Sequence, residues 1–195
     1  MPLYEHIKLM LFPMILSNVI HMVLVKLNVL SFMSLPIWES AFGKNKTWRG
    51  VFIIVFLNGL FSVLISIIIP ENDLSQLDFT RLQQVSFNQN PTSSKQILCG
   101  ILGLFLGVMY LLFELPNSWV KRRLGIGAGE LAKSTIQRWL FMFIDKSDSA
   151  VGVVLFYGWI LQLEVNLQLE LFAISVIIHI SLAWLLYKLR IKSSL

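Results

Sequence analysis

Residues 114–148 read ELPNSWVKRRLGIGAGELAKSTIQRWLFMFIDKSD, and the rest of the chain is organised around this segment. It contains the basic run KRR at residues 121–123, and two carboxylates, Asp145 and Asp148, follow within 25 residues. Arg and Lys neutralise phosphate oxygens, whereas carboxylate oxygens hold Mg²⁺. The pattern therefore favours a site for a metal-bound polyphosphate. The alternative is a basic loop that only orients a membrane protein between its apolar spans.

Outside this segment the chain is mostly apolar. Of its 195 residues, 56% are hydrophobic and 14% are charged, and the mean hydropathy is +0.72. A typical soluble chain has about 25% charged residues. The composition therefore predicts an all-α, polytopic integral membrane protein. The net charge of +5 resides in short segments between apolar runs, which argues against a nucleic-acid-binding face.

Five apolar segments predict transmembrane helices. A helix needs about 20 mainly apolar residues to cross the hydrocarbon. Four segments meet this requirement, at about residues 9–30, 51–69, 97–113 and 171–189. The fifth, at about residues 150–163, is short and predicts either a tilted span or a re-entrant segment. Gly103 and Gly107 give the third span a small-residue face that is expected to pack against a neighbouring helix.

Two side chains in the predicted spans bear on function. Cys99 is the single cysteine, which excludes an intramolecular disulfide and a cysteine-based zinc cluster. His21 lies within the first span, and an ionisable group at that depth normally faces protein or water. Two interpretations of His21 stay open: a functional residue, or a neutral histidine hydrogen-bonded between helices.

Positive charges predict the orientation, because cytoplasmic loops accumulate Lys and Arg. With the N-terminus outside, the inside segments 34–50, 114–149 and 188–195 hold 3, 6 and 3 Lys and Arg, whereas the outside segments hold three in total. Without a span at residues 150–163 the basic C-terminal tail would lie outside, so the charges favour five spans. Both long basic segments are therefore predicted to be cytoplasmic loops.

A second basic stretch, GKNKTWRG at residues 43–50, directly precedes the second span. Lys44, Lys46, Thr47 and Arg49 offer donors just before a helix, and the amides of a helix N-terminus favour anions. The stretch is not a Walker loop, because the spaced first glycine and the preceding strand are missing. Spacing alone leaves open both a phosphate cradle and a plain membrane-surface loop.

Three motifs occur in order: GKNKTWRG at 43–50, PNSWVKRRLGI at 116–126 and DKSDS at 145–149. Together they resemble the CDP-archaeol synthase family, including its bacterial relatives, over about residues 43–152. Members of that family are membrane enzymes that use Mg²⁺ and CTP to convert a lipid phosphate into a CDP-activated lipid. The resemblance implies a CTP-dependent lipid-phosphate cytidylyltransferase of a bacterial inner membrane, with its active site facing the cytoplasm.

The resemblance also implies roles for individual residues. Lys121 and Arg122 match the phosphate-binding pair of the family's SxxKRRxGI segment, and with the two aspartates they are the expected catalytic residues. The expected substrate-binding residues are Lys44, Lys46, Thr47, Arg49, Asn117, Ser118 and Arg123. Asp145 and Asp148 match the family's magnesium carboxylates. Spaced i, i+3 at the start of a helix, both can face one ion, although Asp near a helix N-terminus is also an ordinary cap.

The chain departs from the family pattern at two places. Archaeal members of the family tend to have Gly-Asp where this chain has Pro116 and Asn117, which removes one carboxylate and shifts the expected third metal ligand to Glu114. Lys146 stands where Gln is usual and places a cation between the two aspartates in sequence. Both departures support an alternative function as a non-catalytic lipid-binding or assembly subunit.

A small transporter is the other alternative, and the scarcity of ionisable residues within the spans argues against it. The expected partners are CTP and a lipid phosphate in the bilayer, without nucleic acid. The chemical nature of the lipid and the possibility of a homo-oligomer are left open by the sequence.

Overall fold

The structure is a computed structural model that describes residues 1–85, 95–130, 132 and 134–189. These residues form helices and connections without a β-strand, which confirms the all-α prediction. The helices are α1 (Leu3–Lys26), α2 (Glu39–Phe42), α3 (Trp48–Ile68), α4 (Glu71–Ser75), α5 (Thr80–Val85), α6 (Lys95–Arg123), α7 (Thr135–Ile160) and α8 (Val165–Lys188), with a 3₁₀ turn at Ser31–Met33. The basic residues Arg190 and Lys192 of the predicted inside tail lie outside the described residues.

Within the described part of the chain, four helices are long and apolar enough to cross a membrane: α1, α3, α6 and α8. They overlap the four long predicted spans, with shifted ends, and confirm a polytopic membrane protein. In the fifth predicted span, residues 150–160 form the C-terminal part of α7, and residues 161–163 follow the helix. With 26 residues, α7 is about 39 Å long, which exceeds the roughly 30 Å of a hydrocarbon core. Because its first half contains charged residues, α7 is not among the helices that are apolar enough to cross a membrane.

Contacts of α7 connect it to other parts of the chain toward both ends of the bundle. At one end Asn117 of α6 donates a hydrogen bond to Asp145. At the other end the Tyr157 hydroxyl lies 3.0 Å from Nδ1 of His6, near the start of α1. There Arg81 also donates to the carbonyl oxygen of Trp159 at 2.7 Å. A helix that reaches both ends is what the five-span topology requires, and membrane crossing by α7 remains a prediction.

Cysteine accessibility tests the crossing. Native Cys99 is fully buried, so a membrane-impermeant maleimide is expected to react only with introduced cysteines. We expect Asn45→Cys and Ser134→Cys to react from one side of sealed vesicles and Glu164→Cys to react from the other. Reaction of Ser134→Cys and Glu164→Cys from the same side would instead make α7 a re-entrant helix.

The segment 114–149 is mostly helical rather than the loop that the sequence predicts. Helix α6 continues to Arg123 and α7 begins at Thr135, so only residues 124–134 connect them. The end of an apolar run shows where the lipid-facing part of a helix ends. The helix itself can continue, because Lys, Arg and Glu are good helix formers. The α6 helix stops where Gly125 adopts a φ of 73°, a left-handed conformation that glycine tolerates best.

Close packing of α3 on α6 sets the position of the basic stretch. A Cβ atom on Gly103 would lie 2.7 Å from the Asn58 carbonyl oxygen, and one on Gly107 would lie 2.9 Å from Cα of Val55. The Asn58 side chain also donates to the Gly103 carbonyl oxygen at 2.6 Å. These contacts confirm the predicted small-residue face. Because α3 and α6 are antiparallel, they bring the beginning of α3 next to the end of α6.

Candidate active site

The basic stretch 43–50 folds back on the chain before it. Ile37 donates its backbone N–H to the Lys46 carbonyl oxygen at 2.8 Å, and Trp48 donates to that of Leu35 at 3.0 Å. The Thr47 hydroxyl then accepts the Gly50 N–H at 3.4 Å and so caps α3. This arrangement fixes the backbone between α2 and α3, and it uses the Thr47 hydroxyl as a helix cap.

The folded stretch docks onto the last turns of α6. Lys46 Nζ lies 2.5 Å from Glu114 Oε1. The Arg122 side chain crosses Gly43, where an added Cβ would lie 3.3 Å from Arg122 Nε. Arg122 in turn donates through Nη1 to the Ile126 carbonyl oxygen. Two basic motifs that are about 70 residues apart in the sequence therefore lie together at one end of the bundle.

The two aspartates lie in the interior of α7 and not at its start, which corrects the expectation from the sequence. Asn117 of α6 bridges them: its Nδ2 donates to Asp145 Oδ1 at 2.6 Å and to Asp148 Oδ2 at 2.9 Å. Lys121 Nζ contacts both carboxylate oxygens of Asp145, the closest at 2.5 Å. One turn of α6 thus carries both the amide and the cation that face the acidic pair.

The Glu114 carboxylate forms an ion pair with Lys46, and its role as a third metal ligand stays a prediction. Among the described residues, no three His, Cys, Asp or Glu side chains lie close enough together to hold a metal ion. The oxygen atoms at the acidic pair still suit magnesium. Asp145 and Asp148 offer carboxylate oxygens, and Asn117 Oδ1 is buried without a hydrogen-bond partner. Mg²⁺ commonly takes one or two carboxylates and completes its coordination with water and substrate phosphates.

A cavity of about 810 Å³ adjoins the basic stretch between α1, α3 and α6. Its deeper wall is apolar and includes Ile54, Val108 and Leu111. Its polar wall contains donors and cations from α1 and from the basic stretch: His21, Lys26, Lys44, Lys46, Thr47 and Arg49. A phosphate group and an attached hydrocarbon chain are both compatible with such a lining.

Arg49 is the most buried cation of this wall, with 7% of its surface exposed. Its Nη1 donates to the Val29 carbonyl oxygen at 3.1 Å, while its Nε is buried without a hydrogen-bond partner. His21 lines the same cavity and packs against Gly50, where an added Cβ would lie 3.3 Å from the ring. The intramembrane histidine therefore borders the candidate site and does not face lipid alone.

Two predicted substrate-binding residues are engaged within α6. The Ser118 hydroxyl donates to the Glu114 carbonyl oxygen at 3.2 Å, one turn earlier. The Arg123 guanidinium lies 5.3 Å from the centre of the Trp119 ring. These contacts do not involve Asp145 or Asp148. A role of Ser118 and Arg123 in substrate binding stays a prediction.

Lys146 does not lie between the aspartates in space. It is buried and lines a second, smaller cavity of about 100 Å³ between α1, α7 and α8. Asn18 and Tyr110 border both cavities. Sequence reasoning missed these two residues, because isolated polar groups in apolar runs give no signal of the cavity they face.

The fold and this charged end define a polytopic membrane protein with a cationic cavity beside an acidic pair. Residues 38–195 match the family described as CarS-like, CDP-archaeol synthase, and the chain belongs to this family. Membership implies a CTP-dependent cytidylyltransferase that acts on a lipid phosphate. No curated protein and no solved structure matches the chain at a significant level.

Proposed function

We propose that the protein transfers CMP from CTP to a membrane lipid phosphate with the help of Mg²⁺, giving a CDP-activated lipid and pyrophosphate. One observation carries the proposal: the basic stretch 43–50 and the acidic pair Asp145 and Asp148 flank the same turns of α6. A nucleotide triphosphate with its metal needs cations and carboxylates side by side. This juxtaposition supports one active site in which CTP and the lipid phosphate can meet.

The proposed reaction is a direct transfer between two phosphate groups and requires few catalytic groups from the protein. An oxygen of the lipid phosphate forms a bond to the α-phosphorus of CTP, the bond from that phosphorus to the α–β bridging oxygen breaks, and pyrophosphate leaves with the electron pair. A phosphate monoester has a second pKa of about 6 and is largely dianionic at neutral pH. Neither a protein nucleophile nor a strong general base is required.

The side chains therefore serve to bring two anions together. Lys121 and Arg122 offset the negative charge of the triphosphate. Lys46 and Arg49 offset that of the lipid phosphate in the cavity. Asp145 and Asp148, with the amide oxygen of Asn117, would hold Mg²⁺. When bound, that ion stabilises negative charge on the phosphoryl and leaving oxygens.

The large cavity suits the acceptor lipid. Its cationic wall can bind the phosphate group at headgroup depth, and the apolar residues Ile54, Val108 and Leu111 can contact the adjoining chain. CTP is a cytoplasmic metabolite, and the basic segments 34–50 and 114–149 follow the positive-inside rule. We therefore place the active site at the cytoplasmic surface of the membrane.

A transfer assay tests this function. The protein, purified in detergent, is incubated with Mg²⁺, CTP labelled at the α-phosphate, and a panel of archaeal-type, diacyl and polyprenyl lipid phosphates. We expect labelled CDP-lipid and an equal amount of pyrophosphate with at least one acceptor, and no product in EDTA. Folded protein that makes no product with any acceptor would instead favour a lipid-binding subunit or a transporter.

A further inference from the structure

The carboxylate oxygens of the candidate metal site already have partners within the protein. Both oxygens of Asp145 contact the Lys121 ammonium group, and Asp145 Oδ1 also accepts a hydrogen bond from Asn117. The same Asn117 nitrogen donates to Asp148 Oδ2. A divalent cation would therefore compete with an ammonium group and an amide group for the same carboxylate oxygens.

We propose that Lys121 and Asn117 compete with the divalent cation for these oxygens, so that cation and nucleotide bind cooperatively and each binds weakly alone. This inference rests on the proposed function, because it assumes that CTP and the metal share this site. It identifies Lys121 as the residue that couples the two ligands and Asn117 as a positioning residue for the carboxylates.

Exchange of partners gives the coupling its physical basis. The Lys121 and Asp145 side chains are 17% and 39% exposed, so their attraction is screened less than that of a fully exposed pair. A metal ion that takes Asp145 leaves Lys121 without its anion, and a triphosphate that takes Lys121 frees Asp145 for the metal. Each ligand thus removes a competitor of the other. Thermodynamic linkage requires the two affinities to rise by the same factor.

Asn117 acts on the spacing of the acidic pair. Two carboxylates near each other repel, and an amide nitrogen that donates to both offsets that repulsion. Its buried Oδ1 is the atom of this side chain that remains for a metal ion. An aspartate at position 117 would instead add a third carboxylate and remove the bridging donor. It would therefore favour metal binding without nucleotide.

The test measures binding and not turnover. Mn²⁺ is titrated into the purified protein and followed by the electron paramagnetic resonance signal of the free ion, and CTP binding is measured by equilibrium dialysis with and without Mn²⁺. For the unmodified protein we expect each ligand to tighten the other by about 10-fold, within the usual range of such couplings. Independent binding of the two ligands would overturn the proposal.

Lys121→Met gives the sharpest prediction, because its two effects have opposite signs. We expect Mn²⁺ alone to bind about 10-fold more tightly and CTP without metal to bind at least about 10-fold more weakly, with most of the coupling lost. A purely structural role would weaken both. The matched control is Lys188→Met in the last turn of α8, where the ammonium lies over Trp184 and both affinities should stay unchanged.

Asn117→Asp provides a second variant in case Lys121→Met does not fold. We expect it to bind Mn²⁺ without nucleotide at least about 10-fold more tightly than the unmodified protein does. Unchanged Mn²⁺ affinity in either folded variant would overturn the inference, even if the protein makes CDP-lipid. Conversely, the predicted gain in Mn²⁺ affinity together with a failed transfer assay would refute the proposed function and leave the competition established.

Discussion

Replacing Asp148 with Asn is expected to lower kcat/KM for CTP by about 10³-fold, a loss of about 4 kcal/mol of transition-state stabilisation. Asp148 accepts a hydrogen bond from Asn117 at 2.9 Å and would supply one of two carboxylates to the metal. The substitution keeps the size of the side chain but removes its charge. Steady-state kinetics over a range of Mg²⁺ concentrations would measure the loss.

The matched control is Asp78→Asn at the opposite end of the bundle. Asp78 accepts hydrogen bonds from the Thr80 backbone and from Gln162 near the end of α7, so it ties the chain together far from the candidate site. We expect normal kcat/KM in this variant. Nearly normal activity of Asp148→Asn, with Mg²⁺ dependence unchanged, would remove Asp148 as a metal ligand.

The second large effect is expected at Lys46. Lys46→Met should lower kcat/KM by about 10²-fold, since it removes a cation from the wall of the cavity and one charge-assisted contact to a phosphate. The loss should appear mainly as a raised KM for whichever anion this wall binds, CTP or the lipid phosphate. Kinetics with each substrate varied in turn would show which one it is.

Glu114→Gln distinguishes two possible roles of Glu114, namely the ion-pair partner of Lys46 and a metal ligand. Because its carboxylate binds Lys46 at 2.5 Å, we expect at most a few-fold change and an unaltered Mg²⁺ requirement. A loss as large as that of Asp148→Asn, with a raised Mg²⁺ requirement, would identify Glu114 as a metal ligand. Lys8→Met removes the comparable Lys8–Glu5 pair at the other end of the bundle and should leave activity unchanged.

Much of the architecture follows from apolar run length, because α1, α3, α6 and α8 are set by the need to cover a hydrocarbon core. The same signal fails for α7. Its part up to Asp148 carries the charged residues Arg138, Asp145, Lys146 and Asp148. Hydropathy therefore predicts a loop there, although these residues do not prevent a helix. Hydropathy indicates which residues can face lipid. It does not fix where a helix ends, because backbone hydrogen bonding can continue the helix into a polar segment.

The motifs in the sequence identify most of the candidate site residues but not their partners. Lys46 and Glu114 meet across 68 positions of the chain, and Asn117 reaches Asp145 across 28. Such contacts depend on the close approach of α3 to α6 at Gly103 and on the register of α7. No local spacing rule contains that information, and for the same reason the sequence does not predict the ion pair of Glu114 with Lys46.

The most direct test of a shared site is a structure of the protein with CTP and Mn²⁺, with the ion located by its anomalous scattering. We predict a manganese peak bound by Asp145 and Asp148, with the triphosphate contacting Lys121 and lying next to residues 43–50. A nucleotide bound away from either element, or a manganese ion bound elsewhere in the bundle, would contradict it.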